Sequence, residues 1–359
     1  MKRDVMLDFL RGAAIIAVVV CHQQYILHTS EYIQFISIYS VSALIALAGI
    51  TRYISLSKKL SSKLNINNTV CYLAKAIWGI LAPYILVTFI CAIIEVGVNS
   101  DLPQYFFSRL LTFSASPPFY FVKYYLVLTL LSPLLFFSVN KCMSADKRIL
   151  KTGLFLMFVW IFSYKSITYF DFFAQSYLFV FVCGLIVGKI YPIKISLSKL
   201  LVSISLLCFG TISSYRFYFS LGKEDITYSG IDSWTPLLHL NPPTVSIILY
   251  SFGVISVLYC FCTYFKMYDT LGIKIISLLG KYSLDIFLWH FLIRDLLTEY
   301  IPTFLYRNTV VFKNILYYFL MFALPVTFRL LYQQLKNRGK TFFEQSKEKI
   351  INSGTAEIM

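Results

Sequence analysis

Carboxylates are scarce in this chain, with 17 Asp and Glu against 32 Lys and Arg and a formal charge of +15. A surplus of that sign points to nucleic acid only when the basic residues gather in a tract or on one domain. Here they sit in short clusters between apolar runs, so no nucleic acid partner is expected. Charged residues of either sign fill only 14% of 359 positions while hydrophobic ones fill 58%, which leaves too little polar surface for a water-soluble domain. Also missing are segments of about ten residues that alternate apolar and polar, as a membrane barrel requires. The runs 200–210 and 245–265 do not alternate. Glycine-rich phosphate loops, paired His/Cys ligand spacings and a Gly-x-Ser-x-Gly elbow are absent, so neither metal nor serine-hydrolase chemistry is expected. Of the eight cysteines, Cys21, Cys91, Cys183, Cys208, Cys260 and Cys262 lie in apolar stretches and read as small buried hydrophobes. Cys71 and Cys142 lie near expected cytoplasmic ends, where disulfides are not expected. No small-residue cleavage site follows the apolar run 12–20, which is therefore expected to stay attached as a transmembrane helix rather than leave as a signal peptide.

What is present is a repeated apolar run of the length that crosses a hydrocarbon core, about 20 residues for about 30 Å. The pattern predicts an all-α, polytopic transmembrane bundle of about ten spans near 9–27, 33–53, 74–96, 119–139, 151–167, 172–190, 199–218, 244–265, 282–299 and 313–334. An even number puts both termini on one side. Arg52, Lys58, Lys59, Lys141, Lys147, Arg148, Lys189, Lys199, Lys266, Lys281 and the cluster from Lys336 all fall on that side, which the positive-inside rule makes cytoplasmic. The expected division is an integral-membrane domain over 1–336 and a short cytoplasmic tail over 337–359. The two longest outer loops, 98–118 and 220–243, are too short for separate domains. Any site must then be built from helices and loops together. Asp101, Asp232, Trp234 and His239 are available there for hydrogen bonding or stacking, against a solvated-loop alternative.

Ionisable groups inside spans are functional candidates, because a charge at mid-depth costs at least about 2.5 kcal/mol on insertion scales. The first span opens Arg3-Asp4-Val5-Met6-Leu7-Asp8-Phe9-Leu10-Arg11-Gly12 and runs apolar to His22. At about 100° per residue, Arg11 and His22 project from one face within about 20° of each other. At about 1.5 Å per residue they are about 16 Å apart along the axis, too far to touch. Asp8 is three residues before Arg11, the spacing of an ion pair that anchors a helix. For His22 and His290, a packed imidazole hydrogen-bonded to a neighbouring helix and a role in a site stand as alternatives. Glu95, Arg294, Asp295 and Glu299 lie near outer boundaries, where solvation accounts for them.

These residues resemble the type-three family of integral-membrane acyltransferases, which commonly acetylate bacterial surface carbohydrates. The resemblance rests first on Leu7-Asp8-Phe9-Leu10-Arg11-Gly12 followed by His22 in the first span. Ala48-Gly49-Ile50 with Arg52 is similar to a Ser-Gly segment with basic residues after it, Ala48 departing from the Ser. Lys75 before Pro83-Tyr84, Phe119-Tyr120-Phe121 through Pro133, and Gly280 to His290 are similar to later family segments. The resemblance implies a membrane O-acyltransferase of the bacterial inner membrane. The acyl donor it implies is acetyl-CoA, with no permanently bound cofactor, and the partners are a glycan or lipid-linked sugar acceptor and membrane lipids. On that reading His22 and Arg11 are catalytic, Arg11 and Arg52 bind the donor, and Asp8, Tyr120 and His290 support them. His22 would act as general base on a sugar hydroxyl, an acyl-histidine route remaining open. Arg11 would hold phosphate of the donor. A carbohydrate flippase, polymerase or transporter is the competing class, since buried charges and about ten spans suit it equally. Its usual pair of interrupted helices in corresponding halves is not evident.

Overall fold

The structure, a computed structural model, describes residues 4–22, 31–59, 66–144, 146–164, 175–220, 243–300, 315–335 and 338. Among these the chain is nearly all helical and has no strand. The expected tail over 337–359 lies outside the described residues except for Arg338, as do Asp232, Trp234 and His239. The helices are α1 Val5–Cys21, α2 Glu31–Ser37, α3 Ser40–Lys59, α4 Ile66–Val96, α5 Leu102–Thr112, α6 Tyr120–Ser144 and α7 Arg148–Tyr164. They continue with α8 Gln175–Ile190, α9 Leu197–Ser220, α10 Val245–Tyr264, α11 Leu271–Lys281, α12 Ser283–Tyr300 and α13 Ile315–Leu335. By contacts the chain divides into two compact units, 1–292 and 293–359.

Among the described residues, six helical stretches are long and apolar enough to cross a membrane: Tyr32–Lys59, Asn67–Val96, Pro117–Ser144, Leu197–Tyr215, Val245–Tyr264 and Ile315–Leu335. Each of the other four expected spans overlaps a helix of 16 to 18 residues, α1, α7, α8 or α12. Two helices occupy no expected span. α5 and α11 are eleven residues each, too short to cross, and their polar residues break up the apolar runs that spans were sought from. α4 begins at Ile66, well before the expected 74, because Asn67, Asn68 and Thr69 continue the helix beyond the apolar stretch.

Local chemistry sets the start of α1. Asp4 has extended backbone and its carboxylate accepts from the N–H groups of Met6 (2.9 Å) and Leu7 (3.2 Å), which satisfies donors the first turn leaves open. The other oxygen of Asp4 accepts from the Tyr191 hydroxyl at 2.6 Å, tying this end of α1 to the segment after α8. Beyond it Leu7, Leu10, Ala14, Ile15, Val18 and Val19 are buried.

α1 packs against α3 and α11, α3 against α8, and α9 against α10. The α1–α11 contact is made by two glycines. A Cβ on Gly280 would collide with the backbone carbonyl of Asp8, and one on Gly12 with that of Ile276. Small residues of this kind let helix backbones approach where lipid supplies no hydrophobic drive for association. α11 is followed after Tyr282 by α12, so the fit of α1 on α11 also fixes the start of α12.

Because that contact is backbone to backbone, Gly280→Ala is expected to lower the thermal midpoint of the detergent-solubilised protein by at least about 3 °C, an overpacking effect. Gly272→Ala, on the same helix where a Cβ meets nothing within 4 Å, is expected to leave it unchanged. Melts followed by gel filtration compare the two directly.

Candidate active site

On α1 the expected ion pair is present: Arg11 Nη1 donates to Asp8 Oδ1 at 3.0 Å, with side-chain exposures of 20% and 8%. Asp8 is held there by the same close contact with Gly280 that seats the helix. Arg11 therefore presents its charge with a carboxylate already alongside.

His22 closes α1, and the fold brings it to His290, 268 residues away in sequence. His22 Nδ1 lies 3.2 Å from His290 Nε2, and His290 Nδ1 lies 2.6 Å from the Phe287 carbonyl oxygen one turn earlier on α12. His290 is fully buried. Hydrogen-bond accounting settles which nitrogens carry protons in the neutral pair. A carbonyl only accepts, so His290 Nδ1 carries a proton and donates it. His290 Nε2 is then an acceptor, and His22 Nδ1 must be the donor to it. In that neutral pair Nε2 of His22 carries no proton.

The surroundings of the pair are aromatic. Phe291 meets His22 edge-on at 4.9 Å between ring centroids and His290 at 4.8 Å, and Phe287 meets His290 at 5.6 Å. An apolar wall of this kind strengthens a satisfied hydrogen bond and makes an unsatisfied one costly. The arrangement has the logic of a nucleophile-activating base held by an orienting partner, with a second imidazole in the orienting role.

Arg52, on α3, stands in a different setting. Its Nη1 donates to the Tyr72 hydroxyl at 3.1 Å and its Nη2 to Thr129 Oγ1 at 3.0 Å, and its guanidinium lies over the rings of Tyr72 (5.9 Å) and Tyr125 (5.7 Å). Four residues after Thr129 the helix carries Pro133. Pro133 has no N–H, so the Thr129 carbonyl four residues earlier loses its helical donor, and the Ser132 hydroxyl donates to that carbonyl at 2.7 Å instead.

The remaining expected residues are dispersed. Tyr120 is 41% exposed at the start of α6 and meets Tyr124 edge-on at 5.8 Å, while its neighbour Phe121 is the one that reaches Phe287, at 4.6 Å. Glu95 accepts a hydrogen bond from Tyr105 among exposed groups, and Arg294 pairs with Asp295 at 2.7 Å, both in keeping with boundary positions. Tyr72, Tyr125, Thr129, Phe287 and Phe291 carry much of this geometry and were not singled out from sequence. Only the four-residue step from Phe121 to Tyr125 to Thr129, which places them on one face of α6, was there to be read.

Compared with known proteins, residues 4–332 match the model of the type-three acyltransferase family, described as an acyltransferase domain. The match spans most of the 359 residues, and the chain belongs to that family. No curated protein and no solved structure gives a significant match. Family and apolar helices together make this a multi-pass membrane acyltransferase.

The tautomer assignment has a direct readout, because the chain has only four histidines. In 15N-histidine-labelled protein at neutral pH, solid-state NMR is expected to show two coupled rings, both protonated at Nδ1, and His290→Phe should abolish the coupling. Finding His290 protonated at Nε2 would contradict the assignment.

Proposed function

We propose that this acyltransferase moves an acetyl group from acetyl-CoA to a hydroxyl of a bacterial surface glycan, such as O-antigen, capsule or exopolysaccharide, with His22 as general base. The observation that carries the reading is the hydrogen bond that commits His22 Nδ1 to His290 and presents Nε2 as the basic nitrogen. Imidazole suits the task, since its ordinary pKa of about 6.5 lets it accept and return a proton near neutrality.

The step balances as follows. A sugar hydroxyl loses its proton to His22 Nε2 as its oxygen attacks the thioester carbonyl carbon. The tetrahedral intermediate collapses with cleavage of the C–S bond, and the proton on Nε2 passes to the departing sulfur to give the free thiol. While His22 is an imidazolium, its Nδ1–H bond to His290 becomes charge-assisted and stronger, which stabilises the developing charge. His290 in turn is kept from rotating by its bond to the Phe287 carbonyl.

The distribution of cations supports a donor that enters from the other side. Arg11 lies about 16 Å from His22 along α1, toward the end of the helix that Asp4 ties to Tyr191, where Lys189 donates to the Asn140 carbonyl beside Lys141. With that end cytoplasmic, and with ten spans and both termini inside, acetyl-CoA arrives from the cytoplasm of the bacterial inner membrane. The acceptor meets His22 from the outer half. Arg11 and Arg52 are the cations on the donor's route.

In cells lacking the chain, complementation with wild type is expected to restore O-acetyl groups on surface glycan by mass spectrometry. His22→Ala should reduce them by roughly 10²–10⁴-fold, the usual contribution of a general base. His290→Gln, whose amide oxygen still accepts from His22 Nδ1–H, should retain more activity than His290→Phe. Equal acetylation in every strain would overturn the reading.

A further inference from the structure

α5 is too short to cross a membrane, yet its exposed surface is not that of a helix in water. The exposed residues Pro103, Gln104, Phe107, Ser108, Leu111 and Thr112 recur at the spacing of one helical face. At about 100° per residue that face divides lengthwise into two adjoining strips. Pro103, Phe107 and Leu111 form an apolar one, with Phe107 57% and Leu111 76% exposed. Gln104, Ser108 and Thr112 form a polar one, in which the Thr112 hydroxyl donates to the Ser108 carbonyl at 2.7 Å. Neither strip carries a charge. The opposite face is committed to α4: Phe106 meets Phe89 edge-on at 5.5 Å, Tyr105 donates to Glu95, and the Tyr84 hydroxyl donates to the Leu110 carbonyl at 2.9 Å.

Such a face fixes where the helix sits. In water, Phe107 and Leu111 would add bare apolar area to the surface, and in hydrocarbon the amide of Gln104 would lose the hydrogen bonds that water gives it. Both strips are satisfied when the boundary between lipid and water runs along the helix, the placement of an interfacial helix. The lipid-facing surface also reaches α5 without a break. α4 is a candidate membrane span, and its Leu86, Phe89 and Ile94 are exposed. Phe89, 41% exposed, is the residue that touches Phe106, whose ring lies 5.2 Å from that of Phe107.

We propose that α5 docks in the membrane leaflet nearer the histidine pair, with Pro103, Phe107 and Leu111 among the acyl chains and Gln104, Ser108 and Thr112 at the headgroups. The partner is the lipid surface itself. The side follows from Tyr84, whose ring meets Phe119 at 5.4 Å just before α6, two residues ahead of the Phe121 that touches Phe287. Docking there does more than anchor the chain. Phe113, left-handed (φ 55°) at the end of α5, stacks on Tyr84 at 5.0 Å, so α4 and α5 together brace the turn Pro117–Phe119 that leads into α6. The segment 98–118 is then part of the membrane face of the protein rather than a loop in solvent.

The test is 19F NMR on the full chain in phosphatidylcholine nanodiscs, with Phe107, Leu111, Gln104 or Ser108 replaced one at a time by 4-(trifluoromethyl)phenylalanine. Doxyl-labelled phosphatidylcholine is expected to broaden the signals at 107 and 111 at least about threefold more than those at 104 and 108, and an aqueous gadolinium chelate to do the reverse. Gel filtration confirms that each protein is folded, and position 107, where the replacement is close in shape, decides the apolar strip if another fails. A second measurement needs no label. In the same nanodiscs Phe107→Glu should lower the thermal midpoint by about 3 °C or more, because it drives a charge into lipid, while Gln104→Glu should leave it within about 1 °C. Access of gadolinium to all four positions would show the helix standing in water and overturn the proposal. Broadening of all four by the lipid probe would immerse the whole helix and overturn it as well, as would equal midpoints for Phe107→Glu and Gln104→Glu. Signals at 107 and 111 shielded from both probes would put protein, such as a second copy, on the strip and overturn the lipid assignment. None of these outcomes bears on the His22 mechanism.

Discussion

Gly12 and Gly280 let the backbones of α1 and α11 touch, and much of the site's geometry depends on that contact. It sets the depth of α1, and with it the depths of Asp8, Arg11 and His22, which ride on one helix. It also sets the start of α12, which follows α11 after a single residue and carries His290 two turns later. The meeting of His22 with His290 therefore reports the register of α1 against α11. A Cβ at either glycine would shift both histidines as well as the ion pair.

Around that contact, the shortage of water in a membrane interior governs how polar groups are placed. Each one described near the site has been given a partner from the protein itself. The Thr129 carbonyl, deprived of its donor by Pro133, takes the Ser132 hydroxyl, and the Thr129 hydroxyl turns to Arg52. His290 spends Nδ1 on its own helix and Nε2 on His22. Such bonds are worth little in net stability, yet leaving one unmade is expensive, so they select a single arrangement of side chains. Here that arrangement commits His22 Nδ1 to His290 and fixes the Arg52 guanidinium between Tyr72 and Thr129.

Much of this was legible in the residues alone. The helical bundle follows from apolar runs with few charges, since the hydrocarbon core dictates both length and composition. The Asp8–Arg11 pair follows from a three-residue step on a helix. The family could be read from Arg11 and His22 because residue type, spacing and position in the first helix coincide, and the match over 4–332 bears that out. Short amphipathic helices were missed for a physical reason: α5 and α11 have no long apolar run and cannot span, so a search for spans passes over them. Tyr72 and Tyr125 were missed because tyrosine is abundant here, with 27 in the chain, and nothing local distinguishes the two that flank a guanidinium.

Composition and helical periodicity by themselves determined the all-α membrane architecture, the common face of Arg11 and His22, and the distance between them, because these depend only on the solvent and on the pitch of one helix. Which imidazole nitrogen His22 commits to a partner, and which groups hold the Arg52 guanidinium, only the tertiary structure decided. Both are properties of a partner rather than of the residue. His22 finds its partner 268 positions away, and Arg52 finds its partners on α4 and α6. No periodicity within one helix encodes contacts that arise only when separate helices close on one another.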